Sequence, residues 1–426
     1  MLDEALSGQI RDSVDQGFDD QLAFTADLVR FPSVRGQEAT AQDFIARALA
    51  ARGYGVDRWL IDVDAIAHLP GFAPVHVSYD DAWNVVGAHR PATPTGRSLI
   101  LNGHIDVVPV GPLEMWRDPP FEPRVADGWM YGRGAGDMKA GLVENIFALD
   151  ALRRIGSQPA ADVFVQSVIE EECTGNGALA CLERGYRAEA AIIPEPNNDT
   201  LQRAQVGVMW FQVKLRGYPV HVLETASGAN AIEAAFPIIA ALHELEERWN
   251  EPGRRHPAFA DVAHPINFNV GRFQGGDWAS SVPAWSVFDM RVAVYPGQDL
   301  AEAKAEIEAC IADAAAANPF LANNPPEVVY HGQMAEGYVL ENSDAVEAIL
   351  GAAHLAAYGE PLAAKALTAT TDARFFGLYA GIPALVYGPV SENIHGFNER
   401  VDLESVRKNT QAIALFVAQW CGLEAA

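Results

Sequence analysis

Ser98-Leu99-Ile100-Leu101-Asn102-Gly103-His104-Ile105-Asp106 is the stretch on which the fold turns. A short apolar run ends at Asn102-Gly103, a turn signal, and polar residues with chemical capacity follow at once. Two later runs have the same form, Val163 to Ile169 and Ala190 to Ile193. Helical patterns lie between them, notably Ala140 to Arg154 and Gly177 to Arg184. Upstream, residues 21 to 53 read as a helix, a turn at Phe31-Pro32-Ser33, and a second helix from Ala39 to Arg52. Strands alternating with helices predict an α/β domain around a largely parallel sheet flanked by helices. Ligands and chemistry gather at the strand ends of such sheets. The polar clusters after Leu101, Ile169 and Ile193 stand in those places.

From Gly207 the pattern changes. Met209 to Leu215 reads as a strand and Ala229 to Glu247 as a helix. Two strands (Asn267 to Phe273, Ser286 to Val294), a helix (Leu300 to Ala316) and a strand (Glu327 to Tyr330) follow. The order βαββαβ is that of a self-contained ferredoxin-like unit. Because α/β features resume near Asp344, the unit reads as an insertion. The expected division is 1–206 with 335–426 as one domain and 207–334 as the other.

Composition narrows the function classes. The 426 residues are 49% hydrophobic and 20% charged, an ordinary globular balance. The formal net charge of −26 disfavours a nucleic-acid partner, since phosphate binding needs a basic face. Neither a signal peptide nor an apolar run of about 20 residues is visible, so no membrane partner is expected. Cys173, Cys181, Cys310 and Cys421 fit neither a zinc knuckle nor a disulfide framework, and the cytoplasm is the expected location.

Five stretches carry candidate chemistry. His104 and Asp106 stand two apart, the spacing at which extended residues point to one side. A carboxylate on one imidazole nitrogen frees the other for a metal. The loop Tyr131-Gly132-Arg133-Gly134-Ala135-Gly136-Asp137 matches neither a P-loop nor a dinucleotide fingerprint; it presents one carboxylate before a helix. Glu170-Glu171-Glu172 follows an apolar strand, where like charges raise a pKa unless a cation intervenes. Adjacent glutamates can divide metal binding from proton handling. Glu195 lies between Pro194 and Pro196, and His395 lies in Asn393-Ile394-His395-Gly396-Phe397-Asn398-Glu399. Singly, each stretch also reads as a turn, a cap or a solvated acidic run. Together, two histidines and three or four carboxylates without cysteine make an oxygen-rich set suited to Zn, Mn or Co. A pair of ions about 3.5 Å apart needs a bridging carboxylate.

These five signatures, in this order, resemble the M20 family of metallopeptidases and deacylases, in particular acetylornithine deacetylase and succinyl-diaminopimelate desuccinylase. The resemblance runs from about residue 20 to the C-terminus. It implies a zinc-peptidase-like catalytic domain and two divalent ions, zinc first, with cobalt or manganese as alternatives. It implies His104, Asp137 and Glu195 on one ion, with Asp137 bridging to a second held by Glu172 and His395. Asp106 would orient His104, and Glu171 would act as general base. The family often has a cis peptide after the bridging aspartate, here Asp137–Met138. A glutamate at position 195 is similar to the deacylase branch.

The resemblance also implies that 207–334 is a lid that pairs two chains into a homodimer. His221 would then polarise the substrate carbonyl, in its own or a partner subunit's site. Asn230 falls in the lid signature, and Arg291 of Asp289-Met290-Arg291 would grip a substrate carboxylate, unless it forms a strand-edge salt bridge. Gly388 resembles a backbone contact to substrate. Two departures concern the substrate: Val222, Leu223 and Glu224 replace the usual small residues and proline, and Ser280 stands where asparagine is expected. The implied activity is metal-dependent hydrolysis of a small N-acyl amino acid or related N-acyl compound. Alternatives on this scaffold are a carboxypeptidase or dipeptidase, an N-carbamoyl hydrolase, or a non-catalytic relative.

Overall fold

The computed structural model describes residues 2–426. Among them, nine strands form the larger sheet. The order is Gly55–Leu60, Trp83–His89, Val163–Val168, Leu99–His104, Ala190–Ile193, Ala384–Val386, Leu201–Gln205 and Tyr338–Val339, with Ala364–Leu367 also paired to Leu201–Gln205. Val163–Val168 through Ala384–Val386 are four neighbouring parallel strands. Antiparallel partners flank them on both sides. The fold is mixed α/β with its parallel strands at the centre. Those strands are buried along their whole length. That is why they read as continuous apolar runs and not as alternating ones. Each fully buried Leu or Ile contributes roughly 1.5–3 kcal/mol through burial.

Helices cover the sheet. Ala140–Arg154 is buried on nearly every side, in keeping with its apolar composition, and packs against Leu403–Trp420 and Glu4–Gln16. The Glu4–Gln16 helix lies ahead of the first predicted helix. Asp3 caps it by accepting from the Leu6 amide at 2.7 Å, and Ile10 and Val14 anchor it in the core. No helix among the described residues is long and apolar enough to cross a membrane.

A second sheet orders its antiparallel strands Phe268–Gly275, Trp285–Val294, Gly207–Arg216, Glu327–Ala335. Helices Ala231–Trp249 and Leu300–Ala316 pack on each other beside it, around a separate apolar cluster that includes Phe211, Trp249 and Phe288. The last strand continues past Tyr330 to Ala335, beyond the stretch its sequence marks.

Four parallel strands that point one way deliver their ends to one edge. His104 closes Leu99–His104, and Glu170 to Glu172 follow Val163–Val168. Glu195 follows Ala190–Ile193, and Gly388 follows Ala384–Val386. A small third sheet brings in the remaining residues. Trp129–Tyr131 pairs with Arg400–Asp402, which pairs with Ser391–Glu392. The turn holding Asp137 is thereby joined to the hairpin holding His395.

Candidate metal centre

His104 is 1% exposed, and its Nδ1 lies 2.9 Å from the backbone oxygen of Asp106. A carbonyl oxygen can only accept, so Nδ1 carries the hydrogen and Nε2 is free for a cation. The sequence assigns this orienting role to the Asp106 carboxylate. That carboxylate lies farther away, at 3.6 Å, and accepts from the amides of Glu171 at 3.4 Å and Glu172 at 3.1 Å. His104 is the last residue of its strand, so the same-side rule for extended chain stops applying there. Asp106 thus orients the histidine through its main chain and the glutamate loop through its side chain.

His104 Nε2 faces Asp137 Oδ1 at 3.2 Å, Glu195 Oε1 at 3.7 Å and Glu171 Oε2 at 3.9 Å. His395 Nε2 faces the other oxygen of Asp137, Oδ2, at 3.4 Å, and Glu172 Oε2 at 3.2 Å. One carboxylate therefore offers one oxygen to each histidine, which is the geometry of a bridge. The bond Asp137–Met138 is cis. His104 with Glu171 and Glu195, and His104 with Asp137 and Glu172, each present donor atoms within 4.8 Å of one another.

The donor chemistry fits cations. Glu172 Oε1 and Glu195 Oε1 are buried without a hydrogen-bond partner. Burial, aggravated by neighbouring carboxylates, pushes Glu195 up to about 8 and Asp106 to about 7, and lifts Glu171 well above its ordinary range. The charge of Glu172, with hydrogen bonds to it and to Asp137, raises His395 to about 11 despite burial. Burial would lower His104, but the charge of Glu195 and the hydrogen bond to Asp137 outweigh it and push the imidazole well up. Burial would raise Asp137, and the two histidines instead hold it far below the carboxylate range. These carboxylates favour positive charge on the two imidazoles, and divalent ions bound there would supply that counter-charge instead. His104, Asp137 and Glu195 would hold one such ion; Asp137, Glu172 and His395 would hold the other.

Two neighbouring glutamates are structural. Glu170, first of the triplet, accepts from Arg35 Nε at 2.5 Å and Nη2 at 2.7 Å, from the Tyr79 hydroxyl at 2.7 Å and from Thr174 Oγ1 at 2.9 Å. Glu399, fully buried, accepts from Arg133 Nη1 at 2.5 Å and from the amides of Gly134, Gly136 and Asp137 at 3.1, 2.9 and 3.0 Å. It fixes the glycine loop that presents Asp137. Glu399 stands in the His395 stretch with no role assigned from sequence; its pairing with Arg133, 266 residues away, leaves no local signal.

The cluster opens on a cavity of about 640 Å3 between the two sheets, with Glu171, Glu172, His395, Arg291, His331 and Gln333 among its walls. Arg291 donates to the side chain and backbone oxygens of Asn267 and to Thr368 O, all neutral. Burial pulls its guanidinium down to about 10. His221, Asn230 and Ser280 lie outside this cavity. His221 is exposed, and its Nδ1 accepts from the Leu223 amide at 3.1 Å. Asn230 caps helix Ala231–Trp249 by accepting from the amides of Ile232 and Glu233. Exposed Ser280 accepts from the Val222 amide through its backbone oxygen. Gly388 is not a cavity wall; it lets the Glu195 loop pass, since a Cβ there would stand 2.3 Å from Glu195 O.

Residues 100–419 match the family model described as peptidase family M20/M25/M40. The chain belongs to that family. Among M20 relatives, the N-formyl-4-amino-5-aminomethyl-2-methylpyrimidine deformylase of Halalkalibacterium halodurans is 30% identical across 97% of this chain and 97% of its own. A succinyl-diaminopimelate desuccinylase of Ralstonia nicotianae is 27% identical across 90% of this chain and 94% of its own. The M20 fold is shared with the dipeptidase Dug1p from Saccharomyces cerevisiae, with TM-score 0.76 at 14% identity over 97% of this chain and 98% of that one. Human carnosine dipeptidase 1 is similar in fold, with TM-score 0.75 at 16% identity over 97% and 99%.

Proposed function

We propose that the protein is a two-metal amidohydrolase that removes a small acyl group, formyl foremost, from the nitrogen of a small amine or amino acid. The observation that carries this reading is Asp137, one oxygen toward each histidine, beside a cavity sized for a small molecule. His104, Asp137, Glu195, Glu172 and His395 would hold two divalent ions, zinc first, which when bound would supply an acidified water and a Lewis acid for the scissile carbonyl. Glu171, buried beside these ligands, would as a carboxylate take a proton from the attacking water and pass it to the leaving nitrogen. Asp106 holds the loop on which Glu171 and Glu172 sit. Arg291, whose hydrogen bonds all go to neutral oxygens, would receive a carboxylate of the substrate.

The full-length similarity to a deformylase supports formyl as the first acyl group to test. Dimerisation through the 207–334 unit is part of the proposal. Exposed Leu223, Trp278, Phe236 and Phe273 on that unit, with Phe268–Gly275 as an outer strand, support it. His221 would then reach the site of the partner subunit. The expected setting is the cytoplasm.

An amine-release assay over N-formyl, N-acetyl and N-succinyl amines, N-formylaminopyrimidines and dipeptides tests the reading. Turnover led by N-acyl compounds supports it. Turnover confined to dipeptides replaces it with the peptidase alternative.

A further inference from the structure

The last strand of the second sheet, Glu327–Ala335, does not pair evenly with Gly207–Arg216. Met209 faces Met334 and Phe211 faces Tyr330, so His331, Gly332 and Gln333 together stand opposite Trp210. Two extra residues make a bulge, and bulges re-aim side chains beside active sites. Gly332 makes it possible. Its φ is +66°, and a Cβ would stand 2.5 Å from the Trp210 ring and 3.2 Å from Cys173 O. The bulge turns Gln333 out of its own sheet and across to the glutamate loop of the other one.

There Gln333, 4% exposed, donates from Nε2 to the backbone oxygen of Glu171 at 2.8 Å. Its Oε1 accepts from Arg374 Nη2 at 3.2 Å, and the same nitrogen donates to Thr174 O at 3.1 Å. Arg374 is 1% exposed, lies over the Phe375 ring and leaves Nε and Nη1 without partners. A buried guanidinium fixed by packing thus grips the loop at Thr174 directly and at Glu171 through Gln333. The loop ends on Asp106 from the opposite side, through the Glu171 and Glu172 amides.

We propose that Gln333 is a positioning residue that joins the second sheet to the Glu171 loop, so that the base is set in place only when that sheet is seated. The proposal rests on the reading of Glu171 as general base. Gln333 also lines the cavity, so a substrate contact is the rival explanation that the test must separate.

The test uses the full-length, metal-loaded enzyme with Q333M, Q333E, E171Q and the double variant E171Q/Q333M. Methionine keeps the volume and loses both hydrogen bonds; glutamate keeps the acceptor for Arg374 and loses the donor to Glu171. Misplacing a catalytic group by about 1 Å costs up to roughly 100-fold. Both single variants are expected to lose roughly 10- to 100-fold in kcat with KM within about threefold of the parent. In the E171Q background, Q333M should cost less than about twofold more, because residues that act as one unit are not additive. Hydrogen exchange at amides 171–175 should quicken in Q333M, with or without metal. Unchanged kcat in Q333M, a change in KM alone, a loss that multiplies with that of E171Q, or unaltered exchange overturns the proposal. Full activity in E171Q would instead overturn the base reading, and the exchange measurement would still judge the clamp.

Discussion

Replacing Glu399 with glutamine tests how the bridging aspartate is held. Oε2 of Glu399 receives Arg133 Nη1 and the Gly134 amide, while Oε1 receives the amides of Gly136 and Asp137. Glutamine keeps the shape but has one oxygen. If its NH2 replaces Oε1, two buried backbone donors face a donor, at about 1–3 kcal/mol each. If it replaces Oε2, Arg133 and the Gly134 amide face a donor; in either orientation buried Arg133 loses its anion, at about 3–5 kcal/mol. Either orientation therefore costs at least about 3 kcal/mol, and the first releases the Asp137 amide itself. A chain with two cores need not unfold in one step, so metal affinity is the sharper readout. Chelator competition on the full-length protein should show affinity reduced by roughly 10- to 100-fold, as for other groups that orient ligands. The melting temperature should fall as well. Affinity within about twofold of the parent, together with unchanged melting, would refute the role given to Glu399.

Three further outcomes follow from the same geometry. Glu171→Gln should lower kcat by roughly 100-fold or more while two metal equivalents stay bound, by elemental analysis; lost metal would make Glu171 a ligand instead. Arg291→Met should raise KM roughly 10- to 100-fold for substrates with a carboxylate on the amine side, and leave N-formylaminopyrimidines nearly unaffected, in steady-state kinetics. Burial, then the charge of Asp106, pushes Glu38 up to about 8 from an ordinary 4.5. A carboxyl raised on folding gives stability that is complete below pH 4.5 and is lost as pH climbs through 8. Glu38→Gln removes that loss, so the variant should melt above the parent at pH 8.5 and match it near pH 5 in thermal scans.

Three of the four central parallel strands were legible because burial on both faces writes them as unbroken apolar runs; Ala384–Val386, three residues long, was not. The antiparallel edge was not. Gly55–Leu60 carries Asp57 and Arg58 on half-buried strand, paired with Arg184 and Asp43 across other elements, and no periodicity announces it. Arg124–Ala126, Trp129–Tyr131 and Arg400–Asp402 are three residues each, too short to leave a pattern. The strand to Ala335 was cut at Tyr330 because the bulge His331-Gly332-Gln333 interrupts the alternation that marks a strand. At the centre, residue types located the ligands, since few groups hold such ions. The division of labour around them depends on contacts between distant segments. Asp106 reaches the glutamate amides, Glu399 reaches the glycine loop and Gln333 reaches Glu171. None of those distances is encoded in local spacing.

A pair of cations sharing Asp137 underlies every role proposed for these residues. Anomalous diffraction at the metal edge, from crystals of the zinc- or manganese-loaded protein, tests it directly. Two peaks about 3.5 Å apart are expected, one between His104 and Glu195, the other between Glu172 and His395, with Asp137 reaching both. A single peak, or peaks away from Asp137, would contradict the account.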